Sequence, residues 1–305
     1  MKLRATIFAG AILLLTASCA LAQSPMQVVL LGTGTPVPNP ARSGPSLAVI
    51  ANGTAYLVDA GPGIVRRAEQ AAVQDQIPAL HPARLHVLFL THLHSDHTTG
   101  LPDLMLTPAV IGRPDGMEIY GPAGTTDMVR HLREAYAKDI DIRTNTAPTG
   151  EHEDIARYTF TAHDVKPGVI FKDANVTVTA LTVLHGNWDE SLGYEFSSGG
   201  HRIVISGDTR PAESLIKACD GCDILVHEVY SAAGLDKLPK AERDYHQSFH
   251  TSTVELAKIA TQAHPKKLVL THVLFFGQPE DSIVKEIGDA GYKGEVVLAN
   301  DLDVE

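Results

Sequence analysis

Residues 91–97 read Thr91-His92-Leu93-His94-Ser95-Asp96-His97, and they follow directly on the apolar run Leu85–Leu90. This pairing constrains the fold more than any other feature of the chain. A short continuous apolar run marks a strand buried on both faces, which needs packed layers above and below it. Side chains two apart on extended backbone point the same way. His92 and His94 therefore project together, Asp96 follows if extension continues, and a turn brings His97 round. Imidazole nitrogen with carboxylate oxygen suits zinc, with manganese or iron as lesser options. One tetrahedral ion rarely uses four donors so close in sequence, so the pattern predicts a two-metal centre.

The rest of the chain supplies the layers. Val28–Leu31, Ser46–Ile50 and Ala55–Val58 read as strands, the last two joined by a turn at Asn52-Gly53. Later strands are predicted at Val176–Leu184, Gly193–Phe196, Ile203–Ser206, Ile224–Val226, Leu268–Leu270 and Glu295–Leu298. Helical spacing covers Ile64–Val73, Leu101–Val110, Thr125–Ala137, Ala212–Ala218 and Asp281–Ala290. Ser252 with Glu255 three residues on is a capping box, opening a helix through Ala263. Residues 138–165 are polar and poorly patterned, and read as a surface excursion. Strands and helices alternate in both halves, with hairpins among them. That favours two packed sheets flanked by helices over one open parallel sheet.

Composition excludes several classes. With 44% hydrophobic and 20% charged residues among 305, the chain is neither disordered nor a coiled coil. Its net charge is -11 and its longest basic clusters are the pairs Arg66-Arg67 and Lys266-Lys267, the opposite of a dedicated nucleic-acid binder. Fifteen His is a high count, in keeping with metal chemistry. Lys2 and Arg4, the apolar stretch Ile7–Thr16 and the Ala20-Leu21-Ala22 site form a secretory signal, cut after Ala22. The expectation is a periplasmic or secreted protein with signal 1–22, one domain over 23–305 and no membrane anchor. Cys219 and Cys222 then remain as a short-loop disulfide or two quiet thiols.

The motif order resembles the metallo-beta-lactamase-fold superfamily, whose signature is this same His-x-His-x-Asp-His. Leu31-Gly32-Thr33-Gly34-Thr35-Pro36, His185 followed by Gly193-Tyr194-Glu195-Phe196, and Ser206-Gly207-Asp208-Thr209-Arg210-Pro211 narrow it further. With His227-Glu228, His250-Thr251-Ser252 and Thr271-His272, they look like the ribonuclease Z and alkaline arylsulfatase branch. The resemblance runs from about residue 27 to 303. It implies an α/β fold, a four-layer αββα sandwich of two mixed sheets flanked by helices. It also implies a ligand set: His92, His94 and His185 for a first zinc, Asp96, His97 and His272 for a second, and Asp208 bridging both. Asp96, His250 and Glu228 would be catalytic, with His250 as leaving-group acid and Glu228 orienting it. His227 is expected to support the ligands or the fold rather than to be a ligand itself, and Gly32-x-Gly34 to be a tight turn near the metals.

The resulting expectation is an exported dinuclear zinc hydrolase acting on a small phosphate or sulfate ester through a metal-bridging hydroxide. Ribonuclease Z enzymes carry a long basic arm between the positions of His185 and Asp208, and here only 22 residues intervene. Acidic residues Asp139, Asp141, Glu151, Glu153 and Asp154 crowd the preceding excursion. Nucleic acid is therefore not expected as a partner, and the assembly is left open to a homodimer. The alternatives are a ribonuclease Z-like endonuclease and a non-catalytic metal-binding member of the fold.

Overall fold

The computed structural model describes residues 26–305, so the expected signal at 1–22 lies outside the described residues. Among the described residues thirteen strands form two sheets. The first contains β1 (Gln27–Gly32), β2 (Ser46–Ala51), β3 (Thr54–Val58), β4 (Val87–Phe89), β5 (Met117–Gly121) and β6 (Phe160–Asp164), side by side in that order. β1 to β3 run antiparallel, and β3 to β6 parallel. The second sheet holds β7 (Gly168–Lys172), β8 (Thr177–Val183), β9 (Ser191–Ser198), β10 (His201–Ile205), β11 (Ile224–Tyr230), β12 (Lys267–Leu274) and β13 (Glu295–Leu298). β7 to β10 are antiparallel, and β10 to β13 parallel.

The sheets stack face to face over an aromatic core. Phe89 lies 5.5 Å from Tyr194 and 5.6 Å from Phe196 between ring centroids, with Tyr56 beside them. All four are fully buried, each contributing on the order of 2–3 kcal/mol by leaving water. Helices Ile64–Gln74 and Leu101–Val110 cover the outer face of the first sheet through Ile64, Ala68, Leu101 and Leu104. Helices Glu213–Cys219, Thr253–Ala263 and Asp281–Asp289 cover the second. The result is the four-layer αββα sandwich of two mixed sheets. The capping box forms: Ser252 Oγ accepts from the Glu255 N–H, and Glu255 Oε2 from the Ser252 N–H. Cys219 and Cys222 are joined in a disulfide.

Several boundaries differ from the sequence reading. The run Leu85–Leu90 contributes only three residues of strand, Val87–Phe89. The excursion 138–165 contains helix Ala137–Thr144 and edge strand β6. β6 is half exposed and has little apolar alternation to reveal it. Helix Lys240–Phe249 buries no residue fully, so its sequence carries no core stripe either. Gly32-x-Gly34 is not a tight turn: Gly32 ends β1, and Gly34 donates its N–H to Ser43 O at 2.8 Å. A Cβ on Gly32 would sit 1.9 Å from Gly44 O, so two backbone segments cross where only glycine fits.

Candidate metal centre

The donor side chains gather where β4, β8, β10, β11 and β12 finish at one edge of the two sheets. The turn after β4 carries His92 and His94, and the short helix Ser95–Thr98 turns Asp96 and His97 inward. His185 follows β8, and Asp208 follows β10. His272 lies within β12, which runs four residues beyond the predicted strand Leu268–Leu270. Glu228 pairs with Thr271 and Val229 with Val273, which leaves His272 as the extra residue of a β-bulge. Its φ of 47° is the left-handed conformation that re-aims the side chain. His227 and Glu228 lie inside β11, which runs four residues beyond the sequence reading.

The structure brings all seven expected ligands together. His94 Nδ1 lies 3.0 Å from His92 Nε2 and 3.1 Å from His185 Nε2. His272 Nε2 is 3.3 Å from Asp96 Oδ2 and 3.4 Å from Asp208 Oδ2. His97 Nε2 is 3.5 Å from both Asp96 Oδ2 and Asp208 Oδ1. Two donors about 2.1 Å from a shared ion, at angles between octahedral and tetrahedral, stand roughly 3.0–3.4 Å apart. The observed spacings match that. His92–His94–His185 and Asp96–His97–His272 are each sets of donors that could hold a metal ion. Asp208 groups with His92 and His97, and with His185 and His250, so it stands between the two sets.

Outer hydrogen bonds orient these donors. Asp59 accepts from His97 Nδ1–H at 2.8 Å and from the Thr91 N–H at 2.8 Å. The Thr91 hydroxyl also donates to Asp59, so it accepts from His92 Nδ1–H. His185 Nδ1–H donates to Phe249 O at 2.8 Å. Each bond leaves a lone pair on the inward Nε2. His97 Nε2 is buried with no hydrogen-bond partner, as expected of a ligand atom. Sequence reasoning missed Asp59; its signal was a carboxylate directly after strand β3, before Ala60-Gly61.

Electrostatics agree with a cation site. Burial lowers His92 and His94 and takes His185 down to about 4, so these imidazoles are neutral as ligands must be. At His97 and His272 burial is outweighed by the carboxylates of Asp208 and its neighbours, which call for positive charge there. Burial and the Asp208 charge push Glu228 well above the carboxylate range. Glu228 Oε1 accepts from the Thr209 and Thr251 N–H groups, tying the Asp208 loop to the His250 segment. Its Oε2 lies 3.4 Å from His250 Nδ1. His227 points its Nδ1 at the Glu228 carbonyl and stays outside the cluster.

Residues 54–273 match the family model of the beta-lactamase superfamily domain. The chain is a member of the metallo-beta-lactamase superfamily. Among its relatives is ribonuclease Z of Mycobacterium bovis, 31% identical over 282 residues, spanning 91% of this chain and 96% of the relative. Ribonuclease Z of Mycobacterium marinum is 30% identical, over 91% of this chain and 97% of that one. The superfamily fold is shared with YhfI of Bacillus subtilis, with a TM-score of 0.69 at 20% identity, covering 92% of this chain and 99% of that one. It is also shared with the short form of human tRNase Z, with a TM-score of 0.66 at 24% identity, covering 92% and 98%. As a member of this superfamily the chain is a metal-dependent hydrolase.

One expectation is overturned. Net charge and the short interval after His185 argued against nucleic acid, yet the relatives that match over nearly their full length are named ribonuclease Z. Net charge is a property of the whole surface and does not set the local field of a site that binds cations. Among the described residues no helix is long and apolar enough to cross a membrane.

Proposed function

We propose that this chain is a ribonuclease Z-type phosphodiesterase that holds two divalent ions, zinc by the chemistry of its donors, and cleaves RNA. One observation carries the reading: Asp208 stands between two complete donor sets, the arrangement a two-ion hydrolase requires. The names of the relatives supply the substrate class. His92, His94 and His185 would hold one ion, Asp96, His97 and His272 the other, and Asp208 both. When bound, the ions supply Lewis-acid charge to the phosphoryl oxygens and acidify a water. Asp96, at the mouth of the cluster, would orient such a water. His250 Nδ1 lies 3.4 Å from Glu228 Oε2 and 4.0 Å from Asp208 Oδ2, so the imidazole stands beside the donor cluster and would serve the leaving oxygen. Burial holds His250 down at about 4, so it would meet the leaving oxygen as a neutral imidazole.

The test is a substrate panel on the metal-loaded protein: RNA with a 3′ extension, aryl phosphodiesters, cyclic nucleotides, aryl sulfates and lactones. Cleavage of the RNA with two ions per chain is expected. Turnover of aryl sulfates or lactones without phosphodiester cleavage would overturn the reading. A small phosphate or sulfate ester is the second reading, favoured by the β9–β10 hairpin, which fills the interval between His185 and Asp208. We also infer export, from the signal pattern over residues 1–22. N-terminal sequencing of the exported protein should begin at Gln23, and an intact Met1 would refute it.

A further inference from the structure

The donor cluster is closed on most sides and opens along His94 and Asp96, its half-buried members. On the Asp96 side a cleft of about 530 Å³ runs under the loop Pro36–Pro40. On the His94 side stand aromatic rings that the hydrolysis described above does not use. Trp188 lies 5.0 Å from the His94 ring and 6.1 Å from the His92 ring, with its indole nitrogen 3.0 Å from His94 Nε2. It is 37% exposed, and Tyr245 of the helix Lys240–Phe249 is 51% exposed, so neither is a core residue. Phe249 joins them, 4.5 Å from Tyr245 and 4.9 Å from the His185 ring.

The loop presenting Trp188 is held at both ends. Gly186 donates its N–H to Ser248 O at 3.0 Å, and Trp188 its own to His185 O at 3.1 Å. Gly186 has a φ of 53° and packs under Phe249, where a Cβ would come within 2.1 Å of the ring. At the far end Glu190 pairs with Lys166 and accepts from the Ala123 N–H. An exposed indole fixed beside the ester-cleaving centre is a stacking surface prepared before substrate arrives.

We propose that Trp188 is a specificity-determining residue that stacks a nucleobase next to the scissile phosphate. This rests on the phosphodiesterase reading, and it adds that the enzyme selects esters carrying a planar base over those without one. Trp188 is the only tryptophan in the chain, so its fluorescence reports on this position alone. Titrating the metal-loaded protein with adenosine 5′-monophosphate should quench that emission saturably, while ribose 5-phosphate should not. Equal response to both, or quenching by phenyl phosphate but not by the nucleotide, would overturn the proposal.

A kinetic arm compares thymidine 5′-nitrophenyl phosphate with methyl nitrophenyl phosphate, which share a leaving group and differ in the base. In Trp188→Ala the preference for the nucleoside ester should fall by about 5- to 140-fold, the ~1–3 kcal/mol of a stacked base, mainly through KM. Trp188→Phe keeps a ring but not the indole N–H and should retain most of the preference. A preference unchanged within twofold in Trp188→Ala, at full metal content, would refute stacking. If neither ester is hydrolysed the phosphodiesterase reading fails by itself, and the fluorescence arm still decides whether the base binds.

Discussion

Asp59 offers the sharpest test of how the centre is held, because one carboxylate supports both donor sets. Its Oδ2 accepts from His97 Nδ1–H, and the same carboxylate receives the Thr91 amide and hydroxyl, which in turn hold His92. Asp59→Asn keeps the shape but replaces one acceptor oxygen with an NH₂. Whichever way the amide turns, it sets a donor against either His97 Nδ1–H or the Thr91 donors. The loss of such a partner typically costs 10- to 100-fold in metal affinity, or about 1.4–2.7 kcal/mol. A buried donor left unpaired adds roughly 1–3 kcal/mol of instability. Zinc affinity measured against a competing chelator should therefore fall at least tenfold, with a lower unfolding midpoint for the metal-free protein. Thr91→Val cuts only the His92 arm and should cost less. An Asp59→Asn protein that binds zinc within twofold of the wild type would refute the idea that outer hydrogen bonds set the inward lone pairs.

Asp208→Ala should lose at least one of two ions by metal analysis, and an unchanged content would remove Asp208 from its shared position. His250→Ala should retain metal yet slow an alkyl ester by about 100- to 10,000-fold, with a much smaller loss on a nitrophenyl ester that needs little protonation. Equal losses on both would assign His250 to charge stabilisation instead. Arg113 is fully buried and donates to the carbonyls of Leu85, Leu104, Met105, Asp115 and Arg157, so it knits the segment before β4, the helix Leu101–Val110 and the excursion together. Arg113→Met should destabilise the fold by about 3 kcal/mol in denaturant unfolding, since it orphans several carbonyls at once. A change below 1 kcal/mol would mean that water replaces the guanidinium at little cost.

The sequence by itself determined the donor types, their order and the layer architecture. Period-two and continuous apolar runs report burial, and burial on both faces of a strand needs a sandwich. His92, His94, Asp96 and His97 were legible because four donors within six residues share one local geometry. The tertiary structure alone decided what depends on register and approach. Nothing local marks His272 as a bulge residue, since a bulge exists only against the partner strand β11. Asp59 and His97 are 38 residues apart and meet only because β3 and β4 lie side by side. Trp188 reads as a lone aromatic until the loop after His185 folds it over His94. The edge strands β6 and β7 stayed hidden because edges bury too little to pattern the sequence, and their pairing energy comes from neighbours that the sequence does not name.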